Sequence, residues 1–253
     1  EISECLVGSE MCIRDRSIER EGQDRFSLEL PVDQQEFIKE LYKVNPNTVV
    51  VLVAGSSMAV NWMDENVPAI LNAWYPGEQG GNAVAEVLFG DYNPGGRLPL
   101  TYYNSLDEIP AFDNYFVKGR TYQYFEGQPL YEFGYGLSYT KFRYKSKGVN
   151  VEQDTVKVSF EVSNTGKYDG DEVTQVYVKY PETGTYMPLK QLHGFKRVHI
   201  KKGKTSKVTI GVPKKDLRYW DEQERKFVTP KGEYTFMVGA SSDDIKFRET
   251  VGL

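Results

Sequence analysis

At 253 residues the chain is long enough for two domains of ordinary size, each with its own core. Its composition, 40% apolar and 26% charged, is typical of a globular protein. The net charge of −5, with no basic run to offset it, argues against nucleic acid as the main partner. No apolar stretch approaches the length of a membrane span, so we expect no membrane partner.

The first residues do not resemble the rest of the chain. Residues 1–16, "EISECLVGSEMCIRDR", have no helical or strand period and contain both cysteines, Cys5 and Cys12. A disulfide or half of a metal site is the alternative, but we expect a non-native leader and exclude residues 1–16 from the fold prediction. The next stretch, "SIEREGQDR" (17–25), is rich in charge. Taken alone, it is either a solvated turn or the carrier of a catalytic acid.

Residues 26–103 alternate between helix and strand patterns. A helix is predicted in "FSLELPVDQQEFIKELYKV", where Pro31 and Asp33 stand at the start and Phe37, Ile38 and Leu41 recur at helical spacing. Further along, the pattern predicts strands at 48–55, 67–74 and 96–103, and a helix at 77–90 that Gly90 closes. This alternation indicates an α/β fold with a mostly parallel sheet. The strands are too few for a domain, so we expect part of a larger α/β sandwich.

The middle of the chain is irregular and aromatic. Residues 104–145 have no clean period, and loops of this length are usually functional or packed against a surface. A plain linker is the alternative, but linkers are poor in aromatic residues. We therefore favour a packed loop.

From residue 155 the pattern has a period of two. Val156, Val158, Phe160 and Val162 alternate, and seven further short segments of strand character follow, separated by turns. This indicates an all-β sandwich of about a hundred residues. His193 and His199 would share a face of one strand only if no bulge separates them, and a metal site there is not favoured.

Few local motifs point to chemistry. No nucleophile elbow, phosphate loop or zinc spacing is present, and the glycine-rich "GEQGGNAVAE" lacks the lysine of a phosphate loop. "AGSSMAV" (54–60) follows the carboxyl end of a predicted strand, where α/β sheets tend to place sites. Ser56 and Ser57 could act there or simply cap the turn.

Two long blocks carry a resemblance to a known family. "AWYPGEQGGNAVAEVLFGDYNPGGRLPLTYY", followed by "PLYEFGYGLSYTKF", resembles the C-terminal half of glycoside hydrolase family 3, and the likeness extends over about residues 17–253. In that family a barrel precedes an α/β sandwich, and a fibronectin-III-like domain often follows. The resemblance implies a partial α/β sandwich at 17–112, an aromatic connecting loop at 113–145 and a fibronectin-III-like sandwich at 146–253.

The resemblance also implies roles for individual residues. "EGQDR" is similar to the family segment whose glutamate is the general acid/base, which makes Glu21 the first candidate and Glu19 the second. Asp24 and Arg25 would hold the loop and tune that acid. Tyr122 and Tyr124 are candidates for substrate binding or for packing. The family nucleophile is a barrel aspartate, so none is expected in this chain, and neither is a metal or cofactor.

We therefore expect a fragment of a retaining, exo-acting β-glycosidase. "GRTYQYF" (119–125) is similar to β-xylosidase members, which places β-xylosidase ahead of β-glucosidase or arabinosidase. The expected partners are an oligosaccharide or aryl β-glycoside substrate and the missing N-terminal barrel, without which the chain would be inactive. Family habit suggests a periplasmic or secreted location. The alternative is a non-catalytic carbohydrate-binding module.

Overall fold

The computed structural model describes residues 25–253, and these form two compact units. Of the described residues, the first unit contains 25–92, Thr101–Asn114 and Gly127–Tyr131. The second contains Asn93–Leu100, Tyr115–Glu126 and Glu132–Leu253. The units therefore do not divide the chain at a single point. The boundaries predicted for the domains stay predictions.

The first unit is a small α/β arrangement. Its elements are α1 (Val32–Val44), β1 (Val49–Leu52), α2 (Asn61–Asn66), β2 (Ala69–Asn72) and α3 (Gly80–Phe89). β1 and β2 pair in parallel, with Val49 opposite Ala69. The core contains Val50, Leu52, Val60 and Met63, and Ile38 of α1 packs against it.

The two helices predicted in this unit are confirmed, and their sequences explain their ends. Pro31 precedes α1, where a missing backbone N–H costs nothing. Phe37 is nevertheless half exposed, so α1 contributes less to the core than its spacing suggested. Gly90 ends α3 in the left-handed region, with φ of 83°, as predicted for a closing glycine.

The predicted strand at 96–103 and the mostly parallel sheet are both wrong. Instead of a strand, the stretch 96–103 forms one isolated antiparallel bridge, between Tyr102 and Tyr131, and its Leu98 backbone bonds to Gly134 and Tyr135. Pro99 lies in this stretch and cannot donate a hydrogen bond to a strand ladder. β1 and β2 are thus the one parallel pair among the named strands of residues 25–253, and the other pairs are antiparallel.

The second unit is the predicted β-sandwich. Its strands are β3 (Phe142–Val151), β4 (Thr155–Asn164), β5 (Gly170–Lys179), β6 (Gln191–Ile200), β7 (Thr205–Pro213), β8 (Tyr219–Asp221), β9 (Lys226–Val228), β10 (Glu233–Gly239) and β11 (Ile245–Gly252). One sheet has the order β11-β10-β5-β6, the other β3-β4-β7, and β8 and β9 form a separate hairpin. All eight predicted strands are present, and β3 is a ninth that the sequence pattern missed.

Alternation places the sandwich core as expected. Val156, Val158, Phe160 and Val162 of β4 are at most 1% exposed, and the residues between them are partly or fully exposed. β3 begins at Phe142, inside the stretch expected to be irregular, and a one-turn helix, α4 (Thr121–Tyr124), precedes it. Within residues 25–253, no helix combines the length and apolar character needed to cross a membrane.

Candidate active site

The carboxyl ends of β1 and β2 form one edge of the first unit. Because the two strands are parallel, the segments that follow Leu52 and Asn72 emerge on the same side. The backbone N–H of Ala73 donates to the carbonyl of Leu52 over 2.8 Å, which holds these strand ends together. We call this the strand-end edge. It is where an open α/β sheet ordinarily places its ligands.

Arg25 is bound at the strand-end edge. Its guanidinium donates to the Ser56 hydroxyl over 2.9 Å and to the Ser57 carbonyl over 2.7 Å, and it also contacts the Met58 sulfur. Hydrogen bonds from a charged donor are stronger than neutral ones. Arg25 thereby joins the segment before α1 to the loop after β1, in which the sequence singled out Ser56 and Ser57.

The loops after β1 and β2 touch at Gly55. A Cβ atom on Gly55 would lie 2.7 Å from Cε2 of Tyr75 and 2.9 Å from its hydroxyl, closer than side chains tolerate. Trp74, the residue before Tyr75, has φ of 53°, in the left-handed region. Tyr75 itself is 57% exposed. The Tyr75 ring thus lies over the Gly55 backbone, next to Ser56, on the solvent-exposed side of the strand-end edge.

Tyr102 stabilises the edge from below. Its hydroxyl accepts a hydrogen bond of 2.8 Å from Nδ2 of Asn72, the last residue of β2, and its ring meets Tyr131 edge-on. Burial raises the pKa of Tyr102 to about 12, and the Asn72 hydrogen bond and the Arg25 charge only partly oppose this. The phenol is therefore neutral at physiological pH and serves as a fixed hydrogen-bonding group.

Of the residues predicted for the site, Glu19, Glu21 and Asp24 lie outside the described residues. Arg25 is at the strand-end edge of the first unit. Tyr122 and Tyr124 belong to the second unit, where each ring is stacked on another aromatic ring. Their roles stay predictions.

The stacking partners of the two tyrosines differ. Tyr122 lies 4.3 Å from the Phe133 ring, and its hydroxyl accepts from the backbone N–H of Leu192 over 3.0 Å. Tyr124 stacks on Tyr186, which is half exposed. Tyr122 is therefore held in packing, and Tyr124 supports a ring that faces solvent.

A bulge separates the environments of the two histidines. Val176 pairs with Gly194 and Tyr177 with Leu192, which leaves His193 as the extra residue in β6. His193 Nε2 lies 2.8 Å from the Tyr180 hydroxyl, whereas His199 Nδ1 lies 2.7 Å from a carboxylate oxygen of Asp171. Within residues 25–253, no three or more His, Cys, Asp or Glu side chains form a group that could hold a metal ion.

Sequence reasoning missed Asn72, Tyr75 and Tyr102 as parts of the edge. Tyr75 directly follows the strand predicted at 67–74, a position that could have singled it out. Asn72 lies inside that predicted strand and ends β2 only in the structure. Tyr102 comes from a segment predicted as a strand, and no local pattern indicates that its hydroxyl reaches β2.

Comparison with known proteins places both units. Residues 6–139 match the sequence model of the glycosyl hydrolase family 3 C-terminal domain, and residues 172–242 match that of the fibronectin type III-like domain. A xylan 1,4-beta-xylosidase of Xylanibacter ruminicola is 41% identical over 245 residues, which covers 96% of this chain and 28% of the relative. A beta-xylosidase of Formosa agariphila is 39% identical, covering 89% and 33%.

Solved structures agree with these sequence relatives. The beta-glucosidase of Kluyveromyces marxianus matches with a TM-score of 0.87 and 36% identity, over 94% of this chain and 31% of that one. Another structure of that enzyme is a complex with glucose, matched with a TM-score of 0.86 and 36% identity over 92% of this chain and 30% of that one.

A periplasmic beta-glucosidase of Salmonella typhimurium is 34% identical to the chain, over 89% of this chain and 32% of the relative. The chain spans about a third, or less, of the length of these relatives. The two family matches follow each other in the order of the α/β unit and the β-sandwich, and the solved structures share this fold. The chain belongs to glycosyl hydrolase family 3.

Proposed function

We propose that the chain is the C-terminal portion of a retaining, exo-acting β-glycosidase that hydrolyses terminal β-linked sugars. The observation that carries this proposal is the family match over residues 6–139, which spans both "EGQDR" and the strand-end edge. The two relatives at 41% and 39% identity bear the name of xylosidases, which favours a β-xylosidase. The β-glucosidase structure at a TM-score of 0.87 supports β-glucosidase as the second candidate.

In this proposal Glu21 is the general acid/base, with Glu19 the second choice. Glu21 precedes Arg25 by four residues in the sequence. The contacts of Arg25 with Ser56 and Ser57 support a role in holding this segment at the strand-end edge. Asp24 would act beside it on the charge of the acid.

The chemistry requires a second carboxylate. In a retaining glycosidase, the acid protonates the leaving oxygen while a nucleophilic carboxylate about 5–5.5 Å away attacks the sugar, and the acid then activates water as a base. We propose that the nucleophile belongs to a part of the protein outside this chain, since the relatives are about three times as long. The chain alone is then expected to be inactive on aryl glycosides.

The remaining parts of the proposal follow from the family. The substrates are oligosaccharides or aryl β-glycosides, a class consistent with the glucose complex of the related structure. A periplasmic or secreted location is supported by the periplasmic relative. Tyr122 and Tyr124 are proposed to support the substrate or the site.

Substitution of the two glutamates in the full-length protein tests the assignment. Glu21→Ala is expected to lower kcat/KM by about 10²–10⁴ on an aryl β-xyloside with a poor leaving group, which needs a proton from the acid. The kcat/KM for an activated dinitrophenyl xyloside, whose leaving group needs no proton, should stay nearly unchanged, whereas its kcat should fall because water is no longer activated. Glu19→Ala is the matched control and should leave both rates close to those of the unmodified enzyme. The assignment fails if Glu21→Ala leaves the rates unchanged.

Sugar preference is tested separately. The ratio of kcat/KM for nitrophenyl β-xyloside to that for nitrophenyl β-glucoside should exceed one in the unmodified enzyme. A ratio below one would replace the β-xylosidase proposal with the β-glucosidase alternative.

A further inference from the structure

The loop between β5 and β6 is long for a hairpin of this sandwich. It comprises the eleven residues 180–190, whereas the β3–β4 and β10–β11 connections comprise three and five. Hairpin connections are ordinarily two to five residues long, and long ordered loops are commonly functional. Met187 anchors this loop by packing against the sandwich core.

The loop lines a solvent-open depression of about 570 Å³, a volume within the range of small-ligand sites. Its lining combines apolar surface with hydroxyl and carboxylate groups, from Tyr180, Glu182, Thr183, Thr185, Tyr186 and Met187. A mixed surface of this kind suits a ligand that has both an apolar face and many hydroxyl groups.

Tyr186 presents an aromatic ring in a fixed position. It is 51% exposed, although its neighbour Met187 packs inward. Tyr124 stacks on it with ring centroids 5.3 Å apart and an angle of 20° between the planes. The ammonium of Lys118 lies 5.9 Å from the Tyr186 ring centroid. The backbone N–H of Leu189 donates to the Gln123 carbonyl over 2.7 Å, which ties the loop to the α4 segment.

From this arrangement we infer that the 180–190 loop, with Lys118 and Tyr124, forms a carbohydrate-binding site. The inference rests on the proposed function for its ligand class, a β-linked pyranose of an oligosaccharide. The apolar face of the sugar stacks on Tyr186, and its hydroxyls meet Glu182, Thr183 and the Lys118 ammonium. Tyr124 and the Leu189 hydrogen bond hold the ring in place before the ligand arrives, which lowers the entropic cost of binding.

Binding to the chain itself tests this inference, because no catalysis is required. The 253-residue chain is titrated with xylohexaose by calorimetry or NMR. Tyr186→Ala is expected to weaken binding at least tenfold, and Tyr186→Phe to retain most of it. Tyr168→Ala is the matched control, since Tyr168 is a 60% exposed tyrosine elsewhere on the sandwich, and it should bind like the unmodified chain.

Tyr186→Leu keeps an apolar side chain but lacks the aromatic face. It should lose binding as Tyr186→Ala does, and it tests the inference if Tyr186→Ala folds poorly. The inference is overturned if xylohexaose does not bind at millimolar concentration, or if Tyr186→Leu binds as tightly as Tyr186→Phe. Loss of this binding with hydrolysis intact in the full-length enzyme would leave the proposed function standing. Loss of hydrolysis with xylohexaose binding intact would count against the proposed function and leave the binding site standing.

Discussion

Removing the Arg97 charge should destabilise the sandwich through an uncompensated buried carboxylate. Arg97 Nη2 lies 2.8 Å from an oxygen of Glu172 on β5, and the two side chains are only 8% and 3% exposed. The other Glu172 oxygen accepts from the Tyr144 hydroxyl of β3 over 2.5 Å. Breaking a buried pair of this kind from one side typically costs 3–5 kcal/mol, and we expect Arg97→Met to lower the free energy of unfolding by about that much.

The cost should depend on pH. Burial raises the pKa of Glu172 above its ordinary value, and the Arg97 charge opposes that rise. Without Arg97 the pKa in the folded state rises further, so the protonated form, which folding favours, becomes available at higher pH. The folded protein then binds more protons than the unfolded chain between the two pKa values. The destabilisation should be full near pH 7.5 and shrink as the pH falls towards 4.5.

The loss of stability is measured by urea unfolding, with hydrogen exchange in peptides from β4 and β5 as the readout, so that only the second unit is reported. Lys147→Met is the control, because Lys147 pairs with Glu161 over 3.0 Å at the surface, with 42% of the lysine side chain exposed. That variant should unfold close to the unmodified protein, because exposed ion pairs contribute little to stability. A loss below about 1 kcal/mol in Arg97→Met, or a loss that stays the same from pH 7.5 to 4.5, would refute the reasoning.

Three further outcomes are expected. Gly134→Ala should cost about 2–4 kcal/mol in urea unfolding, because φ is 83° and the new Cβ would collide with the Gln175 carboxamide. Gln175→Ala also destabilises, since it unpairs the buried Tyr177 hydroxyl, but Gly134→Ala should cost less in that background, and an equal cost in both would contradict this. Burial lowers the pKa of His193, so this residue binds more protons in the unfolded chain, and stability falls as the pH drops below about 6.5. His193→Gln should reduce the dependence of the melting temperature on pH between 7.5 and 5.5, and an unchanged dependence would count against this. Gly55→Ala should destabilise the first unit by up to about 1 kcal/mol, because the half-exposed Tyr75 ring must move aside, and the cost should vanish in a Tyr75→Ala background. Hydrogen exchange in β1 peptides measures both, and an equal cost in the two backgrounds would contradict this.

Several features of this protein follow from local sequence pattern. The alternation of Val156, Val158 and Phe160 predicts a half-buried strand because successive side chains point to opposite faces, and the structure confirms it. Gly90 marks the end of α3 because a left-handed residue ends many helices. The order of α/β unit and β-sandwich was readable for the same reason, since strand and helix periods differ.

Other features depend on partners far away in sequence. The 96–103 segment has the composition of a strand, but a strand needs a neighbour to accept its hydrogen bonds, and Pro99 withholds one of the donors. β3 was missed because a bulge between Ser146 and Val149 shifts its alternation by one residue, so Phe142 and Tyr144 are out of phase with Val149 although all three pack against the core. The bulge at His193 is likewise a property of the β5–β6 register.

The sequence by itself determined the two kinds of unit, most of their elements and the family, because these depend on periodicity, turn residues and contiguous motifs. It also singled out the loop at Ser56 and the arginine at residue 25. Only the tertiary structure decided that Arg25 bonds to Ser56 and that Tyr75 covers Gly55. It also decided that Tyr124 stacks on Tyr186 beside the depression of the 180–190 loop. Such contacts join residues 20 to 62 positions apart, and no local pattern encodes them, because they arise from packing between elements.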